Sequence, residues 1–370
     1  MTSGRLAVTG LVLALFVGAG AVGPPARVAG VDLPGRLSNA EFWQIVEGWS
    51  EPSGYFRSDN LVSNEDTFQF VIPTLASTVR PGSVYMGVGP DQNFTYIAAV
   101  RPRIAFITDI RRGNLHVHLM YKALFEQASD RADFLSRLFA RERPAGLDAE
   151  ATPDRLFQAF AVQPPDPERF VRHSREIVRW LTDRRGFPLS DEDITGIVDV
   201  YGHFYASGPN LRYSNSGLRG RTRYPSFQDL QLVDDGHGVR RGYLSTEARF
   251  RFIKQAQERN LIVPLVGNFA GPRALRSVGA WVRERGGTVG TYYASNVEQY
   301  LFQDGLWPAF ADNLSTLPLE KTSTLIRSCF NNCAAGPYRS WSMLDSMPAL
   351  VADARAGRVR MYWDVLSRSR

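Results

Sequence analysis

Two glycines, an amide and a carboxylate form the chain's clearest chemical set: Gly87, Gly89, Asn93 and Asp109. The glycines lie in Val84-Tyr85-Met86-Gly87-Val88-Gly89-Pro90-Asp91-Gln92-Asn93, and Asp109 ends Ile104-Ala105-Phe106-Ile107-Thr108-Asp109. Without a Cβ, Gly87 and Gly89 let the backbone turn tightly and come close to a ligand, so a side chain at either is expected to intrude on it. An acid at the carboxyl end of a second strand accepts hydrogen bonds from a ribose diol. Together these are the parts of a nucleotide-type cofactor site. The third glycine of the dinucleotide fingerprint is absent, and Asp91 and Gln92 stand where it would fall. The bland alternative is a tight βα turn followed by a surface aspartate.

The elements that must position this set follow from hydrophobic patterning. Strand, turn, helix (Asn93 to Val100) and strand succeed one another, with the helix N-terminus aimed at the turn. Before them, Ser38 and Glu41 form a capping box for a helix that places Phe42, Ile45, Val46 and Trp49 on one face. A second helix is expected from Ser63-Asn64-Glu65-Asp66 to Leu75. Later, Leu261 to Phe269 and Thr288 to Ala294 read as buried strands alternating with helices, which predicts an α/β fold: a doubly wound, mostly parallel Rossmann-like sheet with a helical insertion. We divide the chain into a leader and linker (1–36), a first half with the glycine turn (37–140), a mainly helical insertion (141–245) and a second half with the tail (246–370).

Ligands of open α/β sheets bind beyond the carboxyl ends of the strands. Four loops are selected by that rule: Gly87 to Asn93, Asp109 to Asn114, Gly267 to Phe269, and Ala294 to Glu298. They are expected to converge on one crevice. Asn268 and Phe269 offer an amide beside an aromatic wall, and Asn296 is expected to cap its own helix. Tyr55, Asn60, Asn64 and Glu65 lie on a loop and helix start placed to fold over a cofactor; the alternative for Ser63 and Glu65 is helix capping alone.

On Val84 to Asn93, Asp109, Asn268-Phe269 and the strand at Thr288, the chain resembles class I S-adenosylmethionine-dependent methyltransferases. More loosely, residues 38–320 resemble an uncharacterised bacterial family with that expected fold. Beside the cofactor-site candidates Asn64, Glu65, Asn93 and Phe269, the resemblance implies that Gly87 and Gly89 line S-adenosylmethionine and that Asp109 binds its ribose. It also implies that Asn268 sits beside the transferred methyl group. Tyr85 and Met86 replace the acid usual before the first glycine, and no Pro-Pro follows Asn268, so an amino-methylating site of the common type is not supported.

Methyl transfer from a sulfonium needs alignment, and a base only when the acceptor must lose a proton. His203, in an aromatic helix end, is the candidate base; a packed or surface histidine is the alternative. His116 and His118 fall on different helix faces, which disfavours a metal pair, and His237 reads as a turn residue. No Gly-x-Ser-x-Gly, Gly-Lys-Ser/Thr or His-Glu-x-x-His pattern occurs, which disfavours common esterases, nucleotide hydrolases and zinc proteases.

The net charge is +6, and of 43 basic residues only Lys122, Lys254 and Lys321 are lysine. Spread so evenly, the arginines give no strong nucleic-acid signal; the run with Arg212, Arg219, Arg221 and Arg223 is a solvated loop or an anion grip. Arg5 precedes an apolar run from Leu6 to Val17, and Ala19-Gly20-Ala21 fits a signal-peptidase site. The run to Gly23 also approaches the ~20 residues of a membrane anchor. An exported or membrane-anchored protein is therefore expected, with N-terminal membrane contact in the second case. A short-loop disulfide between Cys329 and Cys333 would fit an oxidising compartment and a reduced pair the cytoplasm, and two thiols alone make a poor zinc site. Export and a cytoplasmic cofactor pull apart; a mis-assigned start, an anchor leaving the domain inside, or a lost enzymatic role would each reconcile them. The partner legible here is a small-molecule cofactor, and the methyl acceptor is not named.

Overall fold

Six strands, β1 (Val84–Gly87), β2 (Ile104–Asp109), β3 (Ile262–Val266), β4 (Val289–Ser295), β5 (Thr324–Phe330) and β6 (Ser340–Ser346), build one sheet. Their order is β3-β2-β1-β4-β5-β6. The computed structural model describes residues 1, 32–213, 224–330, 333 and 337–369. The expected leader or anchor (in residues 2–31) and Arg219, Arg221 and Arg223 lie outside the described residues.

All neighbouring strands pair in parallel except β5 and β6, which are antiparallel. The sequence cause is plain for β1, β2 and β3, whose every residue is buried. Such continuous apolar runs are what a parallel sheet covered on both faces demands. Strand order reverses between β1 and β4, creating the switch point at which α/β proteins of this Rossmann-like class bind ligands.

One aromatic cluster locks several helices to one another. Phe94, Tyr121, Phe125, Phe134, Tyr243 and Phe250 are all fully buried. Phe125 lies 4.4 Å from Phe134 and 5.3 Å from Phe94 between ring centroids. Truncating such a ring typically costs about 3–5 kcal/mol.

Between β2 and β3 the chain is helical, as expected for an insertion: Pro153–Ala161, Pro167–Arg179, Asp191–Ser207 and Phe227–Leu232. It does not stand apart, because residues Val31–Arg370 make one compact unit. Asp193 anchors it to the Arg112–Gln127 helix, accepting from Arg112 Nε at 2.6 Å and contacting His116 Nε2 at 2.9 Å. These bonds outweigh the burial that would raise the Asp193 carboxyl, and hold it below the usual range.

One expected element is corrected. The second helix starts at Ile72, not Ser63, and ends at Thr78. Residues 51–66 instead cross the carboxyl ends of the strands as irregular chain. Glu51 fixes their start, its carboxylate accepting the backbone N–H groups of Asn268, Arg273 and Ala274 at 2.9, 2.7 and 3.1 Å. Gly54 N–H then donates to the Ile110 carbonyl at 2.7 Å.

Next to the opposite edge, Cys329, the penultimate residue of β5, is disulfide-bonded to Cys333, Cα atoms 5.6 Å apart. Among the described residues no helix is long and apolar enough to cross a membrane.

Candidate functional site

The four selected loops meet. Gly89, Asp109, Gly267, Asn268, Phe269, Ser295 and Asn296 line a single crevice over the β1/β4 switch point. Tyr55, Asn60, Asn64 and Glu65 cover it from the crossing segment. The cavity is about 210 Å³, below the ~300–1,000 Å³ of a small-molecule site.

The glycine turn reaches the crevice through only one of its glycines. Gly89 lines it with φ +78°, a left-handed conformation that a side chain would strain. Gly87 does not line the cavity: a Cβ there would overlap Asn93 Oδ1 and crowd the Tyr85 ring. Its expected contact with ligand is therefore replaced by a packing role. Asn93 is corrected in the same way. Fully buried, it spans the turn from beneath, its Nδ2 donating to the carbonyls of Val88, Gly89 and Pro90 at 2.9, 3.2 and 2.8 Å. Its Oδ1 accepts from the Tyr85 hydroxyl at 2.8 Å.

His118 adds a bond from below, Nε2 lying 2.9 Å from the Gly89 carbonyl. Burial pushes its imidazole down to about 4, so at neutral pH the ring is uncharged and donates through that nitrogen. His116 and His118 thus serve separate elements, one the insertion and one the turn.

Asp109 sits at the end of β2 on the crevice wall, where expected, but it is already held. Arg111 donates its backbone N–H and Nε to Oδ1 at 2.9 and 3.2 Å, and Nη2 to Oδ2 at 3.2 Å. Its Nη1 donates to the carbonyls of Ser58, at 2.9 Å, and Asp59. The fork geometry of a guanidinium lets one side chain tie the carboxylate to the crossing segment.

Glu65 is the more deeply built acid. Only 1 % exposed, it accepts four hydrogen bonds, all from neutral donors. Tyr293 Oη (2.7 Å) and Ser295 Oγ reach Oε1, while Gln92 Nε2 (2.8 Å) and Ser328 Oγ (2.5 Å) reach Oε2. Burial holds the Tyr293 phenol well above its usual range, so it remains a donor. Acceptance on every lone pair is the pattern of a carboxylate anion. The capping alternative for Glu65 fails, because no helix begins there. Asn64 lines the crevice beside it.

Ser295 belongs to a strained corner. It closes β4 with φ +52°, and the register with β5 shifts between Tyr293 and Ser295. Non-glycine residues in the left-handed region are uncommon and gather at functional sites. Asn296 makes no side-chain cap to the Val297–Gln303 helix and lines the crevice instead. Glu298 turns away from it to the buried Arg327, which donates Nε and Nη2 at 2.6 and 3.1 Å.

Across the crevice, Asn268 Oδ1 accepts from Ala270 N–H at 2.9 Å, folding the amide into its own turn. Phe269 lines the cavity with one part and stacks on Phe310 at 5.6 Å with another. His203 is corrected outright: it is exposed on the Asp191–Ser207 helix and does not line the crevice. Among the described residues no group of three His, Cys, Asp or Glu side chains is arranged to hold a metal.

Residues that the sequence reading did not single out do much of the assembly: Arg111, Tyr293, Ser295, Tyr213 and Tyr300. The signal for Arg111 was its place two residues after the strand-ending acid. That for Tyr293 was its position in the last turn-proximal residues of a buried strand.

Fold and site together define an α/β protein with a switch-point crevice. The chain belongs to the family described as Domain of unknown function (DUF7790), whose model matches residues 60–149 and 226–345. Those segments hold Glu65, Gly89, Asp109, Asn268 and Ser295, and leave out the helices between residues 150 and 225. No curated protein matches the chain.

Proposed function

We propose that this protein binds S-adenosylmethionine in the switch-point crevice and is methyltransferase-like, passing the methyl group to an acceptor reached through the crevice mouth. The observation carrying this reading is the meeting of Gly89 and Asp109 on one wall with Asn268 and Phe269 facing them. A left-handed glycine admits close backbone approach, and a strand-ending aspartate accepts a ribose diol. Asp109 takes that role once Arg111 yields it. The chemistry asks for alignment of acceptor, methyl and sulfur rather than for a proton relay, which agrees with a crevice walled largely by tyrosines, amides and aliphatic side chains.

A second reading is supported by the size of the cavity and by the Arg111–Asp109 pair: an exported or membrane-tethered, non-catalytic ligand-binding module on the same fold. The Cys329–Cys333 disulfide and the apolar N-terminal sequence favour export.

Calorimetric titration of S-adenosylmethionine and S-adenosylhomocysteine separates the two. Micromolar binding that Asp109→Ala abolishes supports the cofactor site. Absence of binding to folded protein removes the methyl-donor reading and leaves the non-catalytic module.

A further inference from the structure

We infer that the crevice selects a small organic cation, a sulfonium or quaternary ammonium centre, which it places over Glu65 and against tyrosine faces. Where that cation is the sulfonium of adenosylmethionine, the inference rests on the function proposed above.

The chain as a whole is basic, at +6, yet among the described residues its crevice is acidic. Glu65, Asp109 and Asp304 line it, and the one basic lining residue is Arg111. Arg111 is committed to Asp109 through both carboxylate oxygens. Glu65 has no such partner: its four contacts are two serine hydroxyls, a tyrosine hydroxyl and an amide. A carboxylate stabilised entirely by neutral dipoles keeps its net negative charge, and low local polarity lets that charge act over several ångströms into the crevice.

The walls complete the preference. Tyr293 and Tyr300 line the same cavity, and a ring face attracts a cation through its quadrupole. Tyr300 already does so at the mouth, where the Arg57 guanidinium stands 6.0 Å from its ring centroid. Phe56 braces Tyr300 edge-on at 5.3 Å. A bulky, weakly hydrated cation gains from both features, whereas an isosteric uncharged group gains from neither.

The test uses the full-length chain and two ligand pairs that differ in charge. In the first, adenosylmethionine is expected to bind about tenfold tighter than adenosylhomocysteine, and Glu65→Gln to bring the two within about threefold. Should Glu65→Gln fail to fold, Asp304→Asn at the exposed rim is expected to lower the ratio about twofold by the same long-range attraction. Equal binding, or tighter binding of adenosylhomocysteine, overturns the inference while leaving the methyl-donor reading in place. If neither nucleotide binds, the methyl-donor reading falls and a second pair decides: choline and its uncharged carbon isostere, followed by ligand-observed NMR. Choline contacts without isostere contacts uphold the cation site; equal contacts, or none, overturn it.

Discussion

Arg111 holds Asp109 by both carboxylate oxygens and, with the far side of the same guanidinium, holds the carbonyls of Ser58 and Asp59. Asp109 and the chain that covers the crevice are thereby coupled through one cation. If Asp109 takes a ribose as proposed, Arg111 has to yield it, and its hold on the crossing segment is then open to change.

Arg111→Ala is expected to free Asp109 and raise affinity for adenosine-bearing ligands several-fold, because the ligand no longer competes with an internal guanidinium. Stability should fall by about 1–3 kcal/mol from lost charge-assisted bonds. Paired titrations and denaturant curves check this. Weaker ligand binding would show that Arg111 contacts the ligand rather than excluding it.

At Gly87 the space for a Cβ is taken by Asn93. Gly87→Ala should therefore displace the amide that ties the carbonyls of Val88, Gly89 and Pro90, costing about 2–4 kcal/mol. Ligand affinity falls only as a consequence of the disordered turn. A variant that keeps full stability but loses ligand would restore Gly87 to the crevice wall.

Asp91 gives a pH signature. Buried just before the Gln92–Val100 helix, its side chain makes no cap and instead accepts from Tyr243 Oη at 3.0 Å and Gln231 Nε2 at 3.2 Å. Burial raises its carboxyl from 3.8 to about 7. The unfolded chain sheds this proton near pH 4 and the folded chain keeps it until near pH 7. Between those values the folded state binds more protons, so the group's contribution to stability falls as pH rises, by on the order of 2–4 kcal/mol in all. Asp91→Asn should remove that slope and be the more stable protein at pH 8. Parallel stability–pH curves for the two proteins would reveal a false assignment.

Arg327 carries a structural prediction. Fully buried, it pairs with Glu298 and with Asp345, the latter at 3.0 Å. Glu298→Ala leaves a buried guanidinium half-compensated and should cost about 3–5 kcal/mol. Adding Arg327→Met should recover part of that loss, as measured by a double-mutant cycle in denaturant.

Local pattern carried much of the fold. Continuous apolar runs marked β1 to β4, and the strand-end rule drew Gly89, Asp109, Asn268 and Asn296 to one place before any coordinates. What escaped was everything decided by distant partners. The strand β6 buries Ser340, Ser342 and Asp345, so its pattern reads as loop; its serines are satisfied by Asp66, Thr67 and Ser328. For Glu65 a helix cap stayed open beside the cofactor site, because its Ser328 partner lies far along the chain. His203 attracted attention by aromatic neighbours in sequence, yet Tyr201 and Phe204 are buried in packing while His203 itself is exposed. Asn93 had the right position for a ligand contact, and only the direction of its side chain assigns it to the turn.

The crevice joins the two ends of the described chain: Glu65 waits for Ser295 and Ser328, and Asp109 for β3, whose Val266 pairs with it. On the ribosome, the first strands and their glycine turn emerge with Glu65 still lacking the serine donors that β4 and β5 bring. Long-range closure of this kind slows folding and exposes unfinished surface. The crevice wall ends at Leu306, so a product cut short before β5 has every lining residue and still lacks the Ser328 hydroxyl that completes Glu65.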